Sequence, residues 1–319
     1  MTQFCYHVSH EQHRPSALLK YVRAAEAAGF EGAVSSDHFH PWAEEQGESG
    51  FAWSWLGAAM QATRFDFGIV NAPGWRYHPA IIAQAAATLA EMFPGRFWIA
   101  VGSGEALNEH ITGEPWPSKS ERNARLRESV HVLRALWRGE TVSHRGRVVL
   151  DDAKLYTRPP QAPKLFGAAL SEATAEFVGS FADGLITTGR PREELLRMID
   201  AFHRGGGEGK PVYVQHVLSW ARTEEEARRV AHEQWRFSLL GGEDLAVLAT
   251  PAQFAAATES VRPHDVAQKI PVSADHGHHL ECLRMYAELG VQRVSILNVH
   301  RDHHAFIEHF GEHVLPELL

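Results

Sequence analysis

Cysteine is nearly missing from this chain. Two thiols, Cys5 and Cys282, cannot build a disulfide framework, and a reducing cytoplasm is the simplest compartment. No apolar run approaches the roughly 18 residues that a membrane span needs. The opening segment MTQFCYHVSHEQH has no basic region followed by an apolar stretch, so a secretory signal is not expected. No block of Lys and Arg stands out, and the net charge is −8 with neutral histidines, which argues against nucleic acid as a partner. No low-complexity linker or charge run divides the chain, so residues 1–319 are expected to form one domain. A single α/β barrel takes about 250 residues, more with insertions.

What is present is ample apolar material, 44% of residues, enough for a large core. The chain also holds 21 histidines, an excess compatible with metal binding, proton transfer or a polar surface. Short apolar, β-branched or aromatic runs alternate with stretches at helical spacing. The strand-like runs are FCYHVS (4–9), EGAVSS (31–36), FDFGIV (65–70), RFWIAVG (96–102), PKLFGAAL (163–170), GLITTG (184–189), PVYVQHVL (211–218) and RVSILNV (293–299). Helical stretches begin near Ser16, Phe51, Pro79, Ser118, Ser171, Pro191, Thr223 and Asp302. Strict alternation of strand and helix points to a parallel sheet. Eight such units close a (β/α)8 (TIM) barrel.

Several boundaries have a stated cause. SALLKYVRAAEAAGF reads as an N-capped helix ending at Gly29. The helix after His78 carries Pro79 in its first turn and stops at Pro94-Gly95. TEEEARRV opens with a Thr cap and three acidic residues at the positive helix end. Two segments break the alternation. Residues 139–160 read as an inserted β-hairpin turning near Arg145-Gly146. Residues 240–280, between the seventh and eighth strands, are expected to form helices over the mouth.

In such barrels the chemistry sits where strands end. The second strand is followed by Ser36-Asp37-His38-Phe39-His40-Pro41-Trp42, and the fourth by Gly102-Ser103-Gly104-Glu105-Ala106-Leu107-Asn108. Asp37 could fix the tautomer of His38 and raise its basicity, and Glu105 would face the same mouth. A His and a Glu in one partly desolvated cleft can divide base and acid roles. The glycines around Ser103 let backbone approach a flat ring, and Trp42 offers an apolar wall. Bland readings stand beside these. An Asp-His pair can cap the next helix, Trp42 and Trp75 can be core aromatics, and Gly102-x-Gly104 lacks the third glycine of a dinucleotide fingerprint, since Leu107 stands there.

The strings SSDHFHPW (35–42), RYHPAIIAQAAATLAEMFPGRF (76–97) and GSGEALNEHITG (102–113) resemble the coenzyme F420-dependent glucose-6-phosphate dehydrogenase branch of the luciferase-like superfamily. HVSHEQ (7–12), DHFHPW and GSGEALNEHITG together are similar to a narrower subgroup regarded as having reverted to an ordinary flavin, FMN. The resemblance implies His38 as the base, Trp42 as its stabilising neighbour and Glu105 as the acid near the ring. It implies cofactor contacts from Asp37, Val70, Asn71, Ser103, Gly104 and Asn108, and from Gly167, Ala168, Ala169 and Thr188 at later strand ends. It also implies a non-prolyl cis peptide near Val70-Asn71, and a homodimer. Departures weigh against a sugar phosphate as substrate. The Gly-Gly step that receives the cofactor phosphate aligns with Ala169-Leu170, and the two Lys and one Arg of the sugar-phosphate clamp align with Pro191, Gln268 and Ala305 or His304.

The sequence is therefore expected to encode an FMN-dependent oxidoreductase, by hydride transfer or monooxygenation, acting on a small molecule. Coenzyme F420 is the alternative cofactor, and no metal is expected. A metal-dependent barrel hydrolase is the rival from another class, through His38-Phe39-His40, HGHH (276–279) and HRDHH (300–304). A non-catalytic cofactor carrier is the third reading, disfavoured by His38 and Glu105.

Overall fold

The structure, a computed structural model, describes residues 1–318. In chain order the strands are β1 (Gln3–Val8), β2 (Ala33–Ser35), β3 (Phe67–Asn71), β4 (Phe97–Val101), β5 (Val142–Arg145), β6 (Val149–Ala153), β7 (Lys164–Ala168), β8 (Gly184–Thr188), β9 (Val212–Leu218) and β10 (Arg293–Asn298). The helices are α1 (Pro15–Ala27), α2 (Ala52–Ala62), α3 (Pro79–Met92), α4 (Ala106–Glu109), α5 (Lys119–Arg138), α6 (Glu172–Gly179), α7 (Arg192–Phe202), α8 (Glu224–Trp235), α9 (Gly242–Val247), α10 (Pro251–Ala257), α11 (Pro263–Lys269), α12 (His276–Glu288) and α13 (His303–His313). Eight parallel strands close a barrel in the order β1-β10-β9-β8-β7-β4-β3-β2, a (β/α)8 architecture. All eight expected strands are present, with ends that differ by a residue or two; β1 begins one residue earlier and β3 ends one residue later than expected.

The expected helix starts recur, with one correction. Ser118, Ser171, Thr223 and Asp302 cap α5, α6, α8 and α13 through their side chains, each such cap contributing about 1 kcal/mol. Ser16 does not cap α1. The helix begins one residue earlier, with Pro15 in its first turn and Arg14 as an N-cap without a side-chain bond. Proline's fixed φ suits that place, and its missing N–H is one that no helix start can satisfy internally.

Strand alternation sends one set of side chains outward to the helices and the other into the barrel. Outward, Phe4, Tyr6, Phe67, Ile69, Ile99, Val101, Leu165 and Val294 join the main apolar core with the helices. Inward, near the strand starts, Trp98, Phe166 and Tyr213 pack with ring centroids 4.3–5.0 Å apart, and the Arg293 guanidinium lies over Trp98 and Tyr213. Arg293 pairs with Asp66 at 2.6 Å, so this end of the barrel is plugged. A side chain on Gly68 would meet the Trp98 ring at 2.0 Å, so glycine there makes room for the plug.

The two irregular segments take the expected forms. Strands β5 and β6 pair as an antiparallel hairpin, with Gly146 N–H donating to the Val148 carbonyl across the turn. Glu128 of α5 accepts from His144 and from the backbone and guanidinium of Arg147, which ties the hairpin to the barrel. Between β9 and β10 the short helices α9, α10 and α11 precede α12. Phe237 and Phe254 from this region pack on Trp42 at the mouth. Among the described residues no helix is long and apolar enough to cross a membrane.

Much of the histidine excess is core. His7, His10, His13, His216, His279 and His303 are all buried. Burial holds His7, His10, His279 and His303 down to about 4, His216 to about 3 and His13 to about 2. These groups are neutral in the fold at pH 7 and take up protons near pH 6.5 once unfolded. Each contribution is complete above that value and is lost as pH falls toward 4, at up to about 1.4 kcal/mol per pH unit per group. We therefore expect the melting temperature to drop by more than about 5 °C between pH 7.5 and pH 5.0. A flat profile measured by differential scanning calorimetry would contradict the assignment of these side chains as buried neutral imidazoles.

Candidate active site

The loops after β1, β2, β3 and β4 share one rim because the four strands are neighbours in the closed sheet or pair directly. His38 lies three residues past the end of β2 and its side chain is 16% exposed. Its Nδ1 has two partners. Asn108 Nδ2 stands 3.2 Å away, and Glu11 Oε1 stands 3.6 Å away. The Asn108 amide is held in that orientation because its Oδ1 accepts the Phe39 N–H at 2.8 Å and the His40 N–H at 3.4 Å. The amide donates to an unprotonated Nδ1, and the carboxylate accepts from a protonated one, so this nitrogen has a partner in either state. The Trp42 ring lies 5.1 Å from the imidazole and stacks on Phe237 at 4.9 Å.

Glu11 is the residue that sequence reasoning misses. It lies three residues past Val8, the end of β1, in the HVSHEQH segment. The rule that strand ends carry the chemistry applies to the first strand as it does to the second. Glu11 is buried, and its Oε2 accepts from Ser9 and Ser36. Burial works to raise its carboxyl, but His38, its own backbone N–H, His10 and Ser36 outweigh that and hold it below the usual carboxylate range.

Asp37, the carboxylate expected to orient His38, is engaged elsewhere. Its Oδ2 accepts from Asn71 Nδ2 at 2.6 Å, and its Oδ1 accepts from the Tyr77 hydroxyl at 3.1 Å. The Arg76 guanidinium, 7% exposed, bridges Asp37 at 3.5 Å and Glu109 at 3.6 Å. Burial pushes the Glu109 carboxyl up to about 7, against the pull of Arg76. Asp37, Asn71, Arg76, Tyr77 and Glu109 thus form a polar cluster that braces the β2 and β3 loops behind His38.

Glu105 sits at the head of α4, partly buried. Burial pushes its carboxyl above the ordinary value; Glu11 adds to this, while His38, Lys119 and Arg122 oppose it. These mutual influences place His38, Glu11 and Glu105 within Coulomb range of one another at the mouth. Ser103 Oγ accepts from Lys119 Nζ at 2.7 Å.

The remaining expected contacts divide by the pleat. Val70, Ala168 and Thr188 share the inward register with Ala100 and Gly102. A side chain on Gly102 would meet Ala168 Cβ at 3.6 Å, so these two positions face each other across small groups. Gly104 takes a left-handed φ of 79°, which brings its backbone close to Glu109, Trp116 and Ala72. Gly102, Gly104 and Ala168 keep this part of the rim free of bulky side chains, as a flat ring would require. Gly167 and Ala169, in contrast, face the helices. A Cβ on Gly167 would strike Val178 of α6 at 2.4 Å, and Ala169 packs in the α6–α7 cluster. Their side-chain positions serve helix packing, because alternate strand residues must point away from the barrel. The peptide after Val70 is also not cis; no cis bond occurs among the described residues. Both Val70 and Asn71 remain in regular register with β4, which a trans chain satisfies without distortion.

The histidine motifs do not assemble a metal centre. The His40 Nδ1 reaches the Leu107 carbonyl at 3.0 Å and its ring stacks on His110, while His303 is tied to Tyr6 and the Asn298 carbonyl. Among the described residues, no group of three or more His, Cys, Asp or Glu is arranged to hold a metal ion.

Comparison with known proteins agrees with this geometry. A sequence model of the luciferase-like monooxygenase family matches residues 1–293. The F420-dependent glucose-6-phosphate dehydrogenase of Beutenbergia cavernae is 33% identical, covering 100% of this chain and 98% of that one. Its counterpart from Segniliparus rotundus is 34% identical, over 98% of this chain and 97% of that one. Among solved structures, an F420-dependent secondary alcohol dehydrogenase in complex with an F420-acetone adduct superposes with a TM-score of 0.91 at 29% identity, over 100% of this chain and 99% of that one. The monooxygenase RslO1 from Streptomyces bottropensis shares the fold, with a TM-score of 0.75 at 19% identity over the whole of both chains. The barrel, the shared rim and these matches place the chain in the luciferase-like monooxygenase family of oxidoreductases.

Proposed function

We propose that this protein transfers hydride between a small hydroxyl or carbonyl substrate and a 5-deazaflavin cofactor of the F420 type. The observation that carries the reading is the meeting of His38, Glu11 and Glu105 over a floor of small residues. The cofactor assignment draws support from the relatives, whose names are those of F420-dependent dehydrogenases. It replaces the FMN expected from the shorter motifs. When bound, such a ring supplies a two-electron hydride acceptor or donor.

Each residue of the chain then has a part. Ala100, Gly102 and Ala168 leave space for the ring, and Val70, Asn71, Ser103, Gly104, Asn108 and Thr188 border it. Asp37 acts through Asn71 and Tyr77, by holding the β3 loop in place. His38 takes the hydroxyl proton of an alcohol at Nε2, while Glu11 and Asn108 fix the ring from the Nδ1 side. Trp42, clamped against Phe237, limits where the substrate carbon sits and excludes water. Glu105, with its carboxyl biased toward the neutral form by burial, holds or returns a proton on the cofactor side. The substrate is expected to lack a phosphate, since Pro191, Gln268 and Ala305 or His304 stand where the sugar-phosphate clamp would be.

One observation favours FMN as a second reading. Ala169 and Leu170 occupy the step where the resemblance calls for two glycines, and Leu170 is 52% exposed at that rim. Side chains there hinder close backbone approach to the deazaflavin tail. Denaturing purified protein and identifying any released chromophore by absorbance and mass decides the matter. Where none co-purifies, separate titrations with F420 and FMN are expected to give at least tenfold tighter binding of F420. Tighter binding of FMN would transfer the assignment to the flavin.

His38→Ala is expected to leave cofactor affinity within about threefold and to lower kcat by about 10²–10⁴. Turnover at the wild-type rate would remove His38 from the mechanism. Glu11→Gln, which keeps shape and removes charge, is expected to lower kcat with little change in cofactor binding. Loss of cofactor binding with kcat intact would instead mark Glu11 as part of the cofactor site.

A further inference from the structure

The first turns of α5 hold an electrostatic conflict. Arg122 is only 5% exposed, its buried Nε has no hydrogen-bond partner, and it forms no ion pair among the described residues. Its guanidinium carbon lies over the Trp116 ring, 4.7 Å from the centroid. Glu105 acts on it through space, with no ion pair formed between them among the described residues. A cation–π contact recovers part of what desolvation takes from a buried cation, but it gives the buried Nε–H no acceptor. Breaking a buried pair by removing one partner is strongly destabilising, and Arg122 stands as such a half-pair.

Two further features act in the same direction. Lys119 is the first residue of α5, and Arg122 follows one turn later. Both therefore sit at the positive end of a 20-residue helix, where the macrodipole favours anions and disfavours cations. The Lys119 ammonium is turned toward the β4 rim, where it donates to Ser103 Oγ at 2.7 Å. A buried unpaired guanidinium, an ammonium and a helix N-terminus thus converge beside Glu105. The neighbouring Trp116 Nε1 donates to the Ala246 carbonyl of α9 at 2.8 Å, so the same spot touches the mouth insertion.

We propose that Arg122, Lys119 and the N-terminus of α5 form a binding site for a phosphate or carboxylate group, carried by the small molecule that fills the mouth. The bound anion supplies the missing partner of Arg122. The inference rests on the reading above only in placing a small molecule there. An anionic oxygen on the cofactor tail and one on an acidic substrate share this chemistry, and binding experiments separate the two.

The test uses the whole protein without added cofactor and inorganic phosphate as the probe. Phosphate in the millimolar range is expected to change the fluorescence of the tryptophans, through Trp116, and to raise the melting temperature in low-salt buffer at pH 7.5. Arg122→Gln is expected to weaken phosphate binding at least tenfold. In phosphate-free buffer it is also expected to melt no lower than the wild type, because it removes an unpaired buried charge. Lys119→Gln, on a more exposed side chain, is expected to weaken phosphate binding by about threefold to tenfold and provides a second reading if Arg122→Gln folds poorly.

Titrations with FMN against riboflavin, and with F420 against its phosphate-free riboside, identify the source. Loss of affinity in Arg122→Gln for the phosphorylated forms alone assigns the anion to the cofactor. Unchanged affinity for all four, with phosphate binding lost, assigns it to the substrate. A wild type that responds to phosphate no differently from Arg122→Gln overturns the site. So does an Arg122→Gln protein that folds but melts well below the wild type in phosphate-free buffer. Because phosphate is read without any redox cofactor, failure of the anion site and failure of the hydride-transfer reading give different results.

Discussion

Closure of the barrel is the constraint from which the rest follows. The pairing of β1 with both β10 and β2 seals eight parallel strands into one ring, and every strand must then deliver its C-terminal loop to the same rim. Glu11 from β1, His38 from β2 and Glu105 from β4 are distant in sequence and have no local reason to meet. The register brings them into one electrostatic neighbourhood. The plug of Trp98, Phe166, Tyr213 and Arg293 fills the other end of the barrel, away from these polar loops. Such aromatic pairs contribute about 0.5–1.5 kcal/mol each beyond the area they bury.

The mouth is built in two polar shells with different duties. Around His38, Glu11 and Asn108 present one acceptor and one donor to the same ring nitrogen, which suits a group that gains and loses a proton. Behind it, Arg76 sits between Asp37 and Glu109, with Asn71 and Tyr77 completing the coordination of Asp37. Apart from Asn71, which borders the proposed ring position, this second cluster stands behind the mouth. Its buried charges are costly to separate, so it resists displacement of the β2 and β3 loops. The loops gain rigidity from it, as a short β2 of three residues would not hold them alone.

The start of α5 has the opposite character. Where Arg76 has two carboxylate partners, Asp37 and Glu109, Lys119 and Arg122 are arranged against the helix dipole, and Arg122 has no ion-pair partner among the described residues. Stored electrostatic tension of this kind is found where structure is shaped for something other than its own stability. Through Trp116, Arg122 links the start of α5 to α9 of the mouth insertion.

The strands and helix starts were legible because their signals are local. A continuous apolar run marks β7 and a period-two pattern marks β9, Pro79 opens α3, and Ser118, Ser171 and Thr223 cap their helices by bonds that span three residues. The motifs around His38 and Glu105 were legible for the same reason. Spatial partners were not. Glu11 reaches His38 across the β1–β2 pairing, Asp37 turns to Asn71 and Arg76 instead of to its neighbour His38, and Gly167 faces Val178 because of strand parity. The peptide after Val70 stays trans because the β3–β4 ladder runs through it. By itself the sequence determined the (β/α)8 alternation, the caps and the residues with acid–base capacity, since these depend on neighbours within about one helical turn. Only the tertiary structure decided which carboxylate serves His38 and which cation is left without a partner, because pairing at a barrel rim depends on strand register and burial, and no local pattern encodes either.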